Sequence, residues 1–266
     1  MAVTEITPGP IRTRPSHQGR NVLVTGAARG IGLAIARAFM ERGATVGVCD
    51  VDAGDVHRAC DDLNCAGLEG KAVPVACDVS SYEALDAALG ACGLAFDTVI
   101  NNAGISPKHD GVAHKVWELA PQEWRRVVDV NLTGSFNTIR ALTPGMIAAR
   151  RGWIVNMSSV AGKTYSPIVA SHYAATKSAI LGFTKHLAAE LGPYSIRVNA
   201  LAPGRIATPM VAGVAPEVNA EQVRLTPMAR LGEPAEVADV ALWLTSTESS
   251  FVTGQTIDVA GGLYMT

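Results

Sequence analysis

Residues 20–32 read Arg20-Asn-Val-Leu-Val-Thr25-Gly26-Ala-Ala-Arg29-Gly30-Ile31-Gly32. The apolar run before Thr25 predicts a short strand, and the glycines that follow it predict a turn. Residues 33–42 have a helical pattern, Gly43 is placed to end that helix, and residues 44–50 form a second apolar run. A strand, a glycine-rich turn, a helix and a second strand together predict a βαβ unit with two parallel strands.

The glycine-rich turn is suited to binding a pyrophosphate. Glycines let backbone N–H groups approach the phosphates, and the N-terminus of the following helix adds favourable partial charge. The spacing is Gly-x-x-x-Gly-x-Gly, which differs from the common dinucleotide fingerprint. Asp50 ends the second strand, close to the position expected of a carboxylate that binds an adenosine ribose diol. The alternative is that Asp50 is only a strand-end turn residue or a helix cap.

The alternation of strands and helices continues along the rest of the chain. We predict one domain over residues 20–266, a Rossmann fold of the α/β class with a doubly wound, seven-stranded parallel sheet. Residues 1–19, which contain Pro8, Pro10 and Pro15, are predicted to be a flexible extension. The later strands are expected at 71–78, 96–101, 153–159, 195–201 and 255–259, and the later helices at 52–66, 82–92, 121–149, from about Tyr173 to Leu191, and 234–245.

Several local expectations accompany this assignment. Ser80 is predicted to cap the helix at 82–92, with Glu83 at capping-box spacing. Pro144 is expected to kink the long helix or to end its regular part. The mixed sequence of residues 210–226 is expected to be mobile.

Composition limits the class of function. The chain has 266 residues, 48% of them hydrophobic, and a formal net charge of -2. A nucleic-acid partner usually requires a basic face, so this balance argues against one. No apolar run approaches the roughly 18 residues that a membrane span requires, and the N-terminus lacks a secretory signal pattern. The five cysteines include no Cys-x-x-Cys pair, so we expect free thiols in a reducing cytoplasm, without disulfides or a metal site.

The pair Tyr173 and Lys177 is the clearest candidate for chemistry. Residues four apart share one face of a helix, and Ser159 ends the strand that precedes this helix. A free phenol has a pKa of about 10, and a neighbouring ammonium favours the phenolate. The three groups could therefore transfer a proton to or from an oxygen. The alternative for an isolated Tyr-x-x-x-Lys is an ordinary surface pair on an amphipathic helix.

Polar and turn residues fall at the ends of most of the predicted strands. In an open parallel sheet, ligands bind at the carboxyl ends of the strands, so we expect these residues to meet at one edge. They are Gly26, Asp50, Asp78, Asn101, Ser159 and Pro203.

From Arg20 to the C-terminus the chain resembles the short-chain dehydrogenase/reductase family. The resemblance rests on Thr25-Gly-Ala-Ala-Arg-Gly-Ile-Gly32, Asn101-Asn-Ala-Gly104, Asn131, Ser159 with Tyr173-x-x-x-Lys177, and Pro203-Gly204. The motifs occur in the order typical of the family. The segment between Ser159 and Tyr173 is one residue longer than in many members, and the neighbouring Ser158 is the fallback for the serine role.

The resemblance implies a role for each motif. Tyr173 would be the acid/base, Ser159 would hold the reacting oxygen, and Lys177 would bind the nicotinamide ribose and depress the pKa of Tyr173. Asn131 would hold a water in the proton path, although a mid-helix Asn can also be a satisfied polar residue. Ile206 and Thr208 would meet the carboxamide, although Thr208 could simply cap a helix. The other cofactor contacts implied are Gly26, Arg29, Gly30, Ile31, Gly32, Asp50, Val51, Asp78 (to the adenine), Val79, Asn102, Ala103, Gly104, Pro203 and Gly204.

The activity that the resemblance implies is hydride transfer between a nicotinamide cofactor and a small-molecule secondary alcohol or ketone. We predict NAD over NADP because the Asp50 carboxylate would repel a 2′-phosphate, although Arg29 favours the opposite preference. Two alternatives stay open: an NADPH-dependent 3-oxoacyl-thioester reductase and a non-catalytic nucleotide sensor. The intact Ser159, Tyr173 and Lys177 count against the sensor. A homotetramer is expected, mainly from the resemblance.

Three segments are predicted to form the walls of a substrate pocket. Residues 105–119 follow the fourth strand and are too polar and irregular for a core element, and functional residues concentrate on such loops. The facing walls would be 160–168 and 205–214, with the latter able to close as a lid. Polar side chains in these walls favour a hydroxylated or anionic substrate over a hydrocarbon alcohol; they are Lys108, Thr164, Tyr165, Ser166 and Arg205.

Overall fold

A computed structural model describes residues 16–265. Its seven strands are β1 (Asn21–Thr25), β2 (Thr45–Asp50), β3 (Lys71–Ala76), β4 (Thr98–Asn101), β5 (Gly152–Met157), β6 (Ile196–Pro203) and β7 (Thr256–Val259). They form one parallel sheet in the order β3-β2-β1-β4-β5-β6-β7. The predicted seven-stranded parallel sheet is therefore confirmed. The strand order reverses between β1 and β4, and such a switch point creates the crevice in which ligands bind.

Nine α-helices flank this sheet among the described residues. They are α1 (Gly30–Met40), α2 (Ala53–Cys65), α3 (Tyr82–Cys92), α4 (Pro121–Val128), α5 (Gly134–Ala149), α6 (Ser171–Leu191), α7 (Pro209–Ala212), α8 (Pro216–Leu225) and α9 (Pro234–Thr245).

The hydrophobic core has two halves, one on each face of the sheet. On one face, α1, α2 and α9 pack through residues such as Phe39, Leu63 and Leu244. On the other face, α3, α5 and α6 pack through Leu85, Met146 and Leu187. The central strands are buried on both sides, which explains their nearly continuous apolar sequences.

The long helix predicted over 121–149 is continuous but not uniform. A π-helical segment, Asp129–Thr133, joins α4 to α5 and contains Asn131. Such segments often mark functional sites. Pro144 lies inside α5, which continues to Ala149, so the expected end of the regular helix at this proline is wrong.

One other local prediction, the helix cap at Ser80, is corrected, whereas the mobility of residues 210–226 stays a prediction. Ser81, rather than Ser80, caps α3 by accepting a hydrogen bond from the Ala84 N–H at 3.3 Å. Ser80 is instead bonded to Asp78. Residues 210–226, expected to be mobile, contain most of α7 and all of α8, and each of these helices has proline in its first turn. Proline suits this position because the first helical N–H groups have no partner within the helix.

One residue of the predicted N-terminal extension is packed against the domain. Residues 1–15 lie outside the described residues, but His17 is 1% exposed. Its backbone N–H donates to the Arg42 carbonyl at 2.9 Å, and its Nε2 lies 3.1 Å from Thr245 Oγ1. His17 therefore belongs to the folded domain, between the end of α1 and the end of α9. None of the helices within residues 16–265 combines the length and apolar character that a transmembrane span would need.

Candidate active site

The glycine-rich turn between β1 and α1 is closely packed. Gly26 has φ of +63°, a backbone conformation that L side chains rarely adopt. A Cβ at Gly32 would lie 2.1 Å from the Gly26 carbonyl oxygen, so no other residue fits there without a shift of the turn. Gly30 begins α1, and Ile31 packs partly buried against the core. Arg29 is the N-cap residue of α1, but its side chain accepts no hydrogen bond from the helix. The first N–H groups of α1 therefore have no side-chain acceptor at the N-cap.

Asp50 lies beside this turn at the end of β2. Its carboxylate accepts hydrogen bonds from the Ala28 N–H at 3.2 Å and the Val51 N–H at 2.8 Å. Val51 is 63% exposed, and the Arg29 side chain is also exposed. Asp50 and Arg29 therefore both lie beside the glycine-rich turn, and a ribose contact at Asp50 stays a prediction.

Asp78 follows β3 and is tied to its surroundings by several groups. Partial burial would raise the pKa of its carboxyl, but hydrogen bonds from Ser80 and the charge of Arg126 outweigh burial and lower it. Arg126 Nη1 donates to Asp78 Oδ2 at 3.1 Å. The neighbouring Val79 is 6% exposed, and its carbonyl accepts from Asn137 Nδ2 at 2.9 Å. Asp78 and Val79 are thus held in place by α4 and α5.

The Asn101-Asn102-Ala103-Gly104 segment braces the glycine-rich turn. Asn102 Nδ2 donates to the carbonyls of Thr25 and Gly26 at 2.9 and 3.0 Å. The N–H groups of Asn102 and Ala103 both donate to Thr25 Oγ1 at 3.0 Å. A Cβ at Gly104 would lie 3.4 Å from Lys177 Nζ, so this segment also reaches the Tyr173 helix.

Asn131 connects the π-helical segment to the start of the 105–119 loop. Its Oδ1 accepts from the Ile105 N–H at 2.8 Å, and its Nδ2 donates to the Ile105 carbonyl at 3.0 Å. Nδ2 also lies 3.3 Å from Thr176 Oγ1. The side chain is 1% exposed; it holds the Ile105 backbone and contacts the Thr176 hydroxyl on α6. A water held by Asn131 stays a prediction.

The two serines after β5 have different surroundings. Ser158 Oγ donates to the Lys177 carbonyl at 2.7 Å and is buried, so it secures helix α6. Ser159 Oγ accepts from the Ala161 N–H at 3.2 Å and interacts with the Tyr173 phenol. The structure therefore places Ser159, not the fallback Ser158, against the phenol. The longer segment between Ser159 and Tyr173 does not separate them.

Burial raises the pKa of Tyr173, although the interaction with Ser159 and the positive charge of Arg205 each lower it. The net direction differs from the depressed pKa implied by the family resemblance. The reason is desolvation, which penalises a buried phenolate. Tyr173 is therefore a phenol at neutral pH, in the form that can donate a proton.

Lys177 lies one turn after Tyr173 and is 4% exposed. Its Nζ donates to the Met157 carbonyl at 2.7 Å and lies 5.6 Å from the centre of the Tyr173 ring. Burial lowers the pKa of Lys177 to about 8, so the ammonium is mostly charged at neutral pH. An ammonium has three N–H donors, and two of them remain for other acceptors.

The residues at the end of β6 also lie at this edge. Pro203 ends β6, and the Gly204 N–H donates to the Val259 carbonyl at 3.0 Å. Ile206 is buried, whereas Thr208 caps α7 by accepting from the Val211 N–H at 3.4 Å. The capping alternative for Thr208 is thus confirmed.

A chain of buried polar side chains joins the central strands beneath the site. Asn101 Nδ2 donates to Asn156 Oδ1 at 2.8 Å, and Asn156 Nδ2 donates to Thr184 Oγ1 at 3.0 Å. Thr138 Oγ1 also donates to Asn101 Oδ1. Asn156 and Thr184 were not among the predicted site residues. The asparagine within the apolar strand β5 was a usable signal, because a buried amide requires hydrogen-bonding partners.

Hydrogen bonds join two of the three predicted pocket walls and tie the third to α8. Lys108 Nζ donates to the Ile168 carbonyl, which links the loop after β4 to the loop before α6. Arg205 Nε and Nη2 both donate to Asn219 Oδ1, at 3.0 and 2.6 Å. Thr164 and Tyr165 are exposed, and Tyr165 is 81% exposed. Asn219, which was not among the predicted site residues, thus connects the 205–214 wall to α8.

A carboxylate shared by two histidines fixes the outer part of the 105–119 loop. Glu123 Oε2 lies 2.7 Å from His109 Nε2, and its Oε1 lies 2.8 Å from the buried His172 Nε2. These contacts, with His172 first, lower the pKa of Glu123. His114 stacks on His109, and the donor atoms of His109, His114 and Glu123 lie within 4.8 Å of one another, a spacing that could hold a metal ion. No metal was predicted; because Glu123 already bonds both His109 and His172, we interpret the group as a clamp between the loop and α6.

The fold and the site define a class of protein: an oxidoreductase built on a dinucleotide-binding sheet with a Tyr-Lys pair at the strand ends. Residues 26–264 match the family described as enoyl-(acyl carrier protein) reductase. A relative named 3-oxoacyl-[acyl-carrier-protein] reductase, from Thermotoga maritima, is 38% identical over 92% of this chain and 98% of its own length. The chain belongs to the short-chain dehydrogenase/reductase family.

Solved structures agree with this assignment. A 3-oxoacyl-[acyl-carrier protein] reductase from Brucella melitensis is 81% identical, with a TM-score of 0.94 over 100% of this chain and 99% of that one. A second structure with this name and organism, with bound NAD, is 79% identical, with a TM-score of 0.92 over 100% of this chain and 99% of that one. A short-chain type dehydrogenase/reductase from Mycobacterium ulcerans is 30% identical, with a TM-score of 0.85 over 93% of this chain and 90% of that one.

Proposed function

We propose that this oxidoreductase transfers a hydride between NAD and the carbinol or carbonyl carbon of a polar substrate, with Tyr173 as the acid/base. The observation that carries the proposal is the convergence of Ser159, Tyr173 and Lys177 at the carboxyl edge of the sheet. The glycine-rich turn lies at the same edge.

The residues at this edge fit a dinucleotide. The N-terminus of α1 has no side-chain cap, so its N–H groups are available to a pyrophosphate. Asp50 would accept the ribose hydroxyls of the adenosine, beside the exposed Val51, and Asp78 would meet the adenine. Lys177 would donate to the nicotinamide ribose with the N–H groups that Met157 does not use. NAD, when bound, supplies the hydride acceptor or donor.

The chain's own residues would handle the proton. Ser159 would donate a hydrogen bond to the substrate oxygen and hold it beside the Tyr173 hydroxyl. In ketone reduction, Tyr173 would give its proton to the oxygen as the carbon receives hydride. In alcohol oxidation, the phenolate would take that proton back. Because burial raises the pKa of Tyr173, the protonated form prevails at neutral pH, which favours its role as an acid in reduction.

NAD is proposed over NADP because of Asp50. A 2′-phosphate beside this carboxylate would meet a like charge, whereas a ribose diol can donate hydrogen bonds to it. The bound NAD of the Brucella melitensis protein supports this proposal. Arg29 is exposed beside the same position, and its charge would favour NADP. The preference for NAD therefore depends on whether repulsion of the 2′-phosphate by Asp50 exceeds its attraction by Arg29.

The other candidate, which the similar proteins support better, is reduction of a 3-oxoacyl thioester. The names of the Thermotoga maritima and Brucella melitensis proteins favour it, and their matches extend over nearly the whole chain. Both candidates share the proposed chemistry at Tyr173. They differ in what the pocket walls bind and in the cofactor, which is NADPH for the thioester reductase.

The test is a substrate screen with the purified protein. Alcohols and ketones, including 3-oxoacyl thioesters, should be offered with NAD(H) and NADP(H), and the absorbance of the reduced nicotinamide followed. Turnover of a polar secondary alcohol or ketone, faster with NAD(H), is the expected result. No turnover of any compound with either cofactor would contradict the proposal.

We also propose a homotetramer in the cytoplasm. Large apolar side chains remain exposed on the long helices, among them Trp124 on α4 at 41% and Phe136 on α5 at 46%. Leu181 and Phe183 on α6 are only partly buried. Helix faces of this kind are suited to burial between copies of the chain.

A further inference from the structure

Two cations in the predicted pocket walls have no acidic partner. Lys108 and Arg205 are each half-buried, and neither forms an ion pair with a carboxylate among residues 16–265. By contrast, the exposed Arg230 is paired with Glu236 at 2.6 Å. Burying a charge without a counterion is unfavourable, so a pair of such cations in one pocket is suited to an anion.

The Lys108 ammonium is held at the edge of the pocket. One of its N–H groups donates to the Ile168 carbonyl, in the loop that precedes α6. An ammonium has three donors, so two remain for a ligand. The Glu123 clamp on the adjacent His109 limits the freedom of this part of the loop.

The Arg205 guanidinium is oriented by Asn219. Nε and Nη2 donate to Asn219 Oδ1, and Asn219 Nδ2 donates to the Val211 carbonyl at 3.1 Å. No hydrogen bond from Nη1 to a described residue is present. A guanidinium has five N–H donors in a planar fork that matches a carboxylate, so the remaining donors are positioned for one.

The two cations and the phenol influence one another electrostatically. Burial lowers the pKa of Lys108, and the charge of Arg205 lowers it further. The same Arg205 charge acts on the Tyr173 phenol. The charge of Arg205 therefore acts on both the Tyr173 hydroxyl and the Lys108 ammonium.

An unpartnered hydroxyl lies in the same wall. Ser106 Oγ is buried and has no hydrogen-bond partner among the described residues. It follows Ile105, which Asn131 holds on both its N–H and its carbonyl. Buried hydroxyls are usually bonded, and a polar ligand in this pocket could provide the missing partner.

We propose that the substrate carries a free carboxylate, which binds between Lys108 and Arg205 while its hydroxyl or keto carbon lies at Tyr173. The substrate class is therefore hydroxy or oxo carboxylates, and this inference rests on the proposed hydride transfer. This inference distinguishes a free acid from a thioester as the substrate. The carbonyl of a thioester is neutral and offers no charge to the two cations.

The test compares substrates that differ only in the charge. One series is 3-hydroxybutyrate, its methyl ester and its N-acetylcysteamine thioester; the other pair is gluconate and glucitol. With NAD present, kcat/KM for the preferred acid should exceed that of its neutral counterpart by about 10- to 100-fold, the range of a charged hydrogen bond. Calorimetry with NADH-loaded enzyme should show binding of malonate and none of malonamide.

Three variants locate the effect. Lys108→Gln and Arg205→Gln should each reduce the ratio of acid to neutral kcat/KM by about 10-fold or more and weaken malonate binding equally. For Arg205→Gln, the ratio of acid to neutral kcat/KM is the decisive measurement. Loss of the Arg205 charge also affects proton transfer at Tyr173, but it does so equally for both substrates and cancels in the ratio. Lys71→Gln is the control, since Lys71 is exposed at the amino end of β3, away from the pocket.

Specific outcomes would overturn the inference. A neutral substrate or the thioester used as well as the best acid, or malonate binding unchanged in both pocket variants, would contradict the carboxylate site. Either result leaves hydride transfer through Tyr173 intact. Failure of the wild-type enzyme with every substrate would instead contradict the proposed function, and the malonate titration would still decide whether the anion site exists.

Discussion

Replacing Tyr173 with phenylalanine removes one hydroxyl and keeps the ring. The ring still lies on α6, one turn before Lys177, so the helix and its packing are preserved. The lost contacts are the interaction of the hydroxyl with Ser159 and the influence of Arg205 on its proton. Loss of a single hydrogen bond should change the free energy of unfolding by only about 1 kcal/mol.

The effect on turnover should be far larger. A positioned general acid or base contributes about 100- to 10,000-fold to a rate, which corresponds to roughly 3–5 kcal/mol in the barrier. Tyr173→Phe should therefore lower kcat by at least about 100-fold, with the NAD dissociation constant changed less than about threefold. The reason is that the Tyr173 hydroxyl would exchange a proton with the substrate oxygen, whereas Lys177 would bind the cofactor and is unchanged in this variant.

Absorbance of the reduced nicotinamide measures the rate, fluorescence titration measures cofactor binding, and thermal unfolding reports stability. Tyr194→Phe is the matched control, because it removes the same atom from a residue in the turn after α6. A Tyr173→Phe enzyme within about tenfold of the wild-type kcat would refute the acid/base role. A similar loss in Tyr194→Phe would show that the effect is not specific to the site.

The other predictions concern pH, the cofactor and assembly. Because the pKa of Tyr173 is raised, kcat/KM for alcohol oxidation should rise about tenfold per pH unit between about pH 6 and 7.5, below the pKa of about 8 at which the Lys177 ammonium loses its proton, and a flat profile in that range would contradict a phenolate base. Lys177→Met should weaken NAD binding and slow turnover, each by about tenfold or more, because one ammonium serves both; unchanged NAD affinity in a titration would contradict the ribose role. The unmodified enzyme should prefer NAD by about tenfold or more, and Asp50→Asn should narrow that preference, whereas equal efficiency with NADP before the substitution would show the assignment to be wrong. Light scattering should give four times the 27.7 kDa protomer mass, and a monomer mass would refute the tetramer.

Local sequence determined most of the architecture of this protein. Apolar runs separated by helical segments predicted the parallel sheet because each strand is buried on both faces and each helix on one. The glycine-rich turn was predictable for a similar reason: Gly26 needs a positive φ, and Gly32 has no room for a Cβ. Glycine is the only residue that meets both conditions, so the requirement is visible in the sequence.

Other features depended on contacts between distant residues and could not be derived from local pattern. His17 joins the domain through Arg42 and Thr245, which no periodicity in the first nineteen residues reveals. Asn219 orients Arg205 only because α8 folds back beside the end of β6.

The sequence by itself determined which side chains could transfer a proton together. Tyr173 and Lys177 are four residues apart, and this spacing places them on one face of a helix. Only the tertiary structure decided the protonation state of the phenol and the charge of its surroundings. Those depend on burial and on charges from separate loops, such as Lys108 and Arg205. Desolvation is a property of the packed site, and a linear sequence does not specify how much water each group loses on folding.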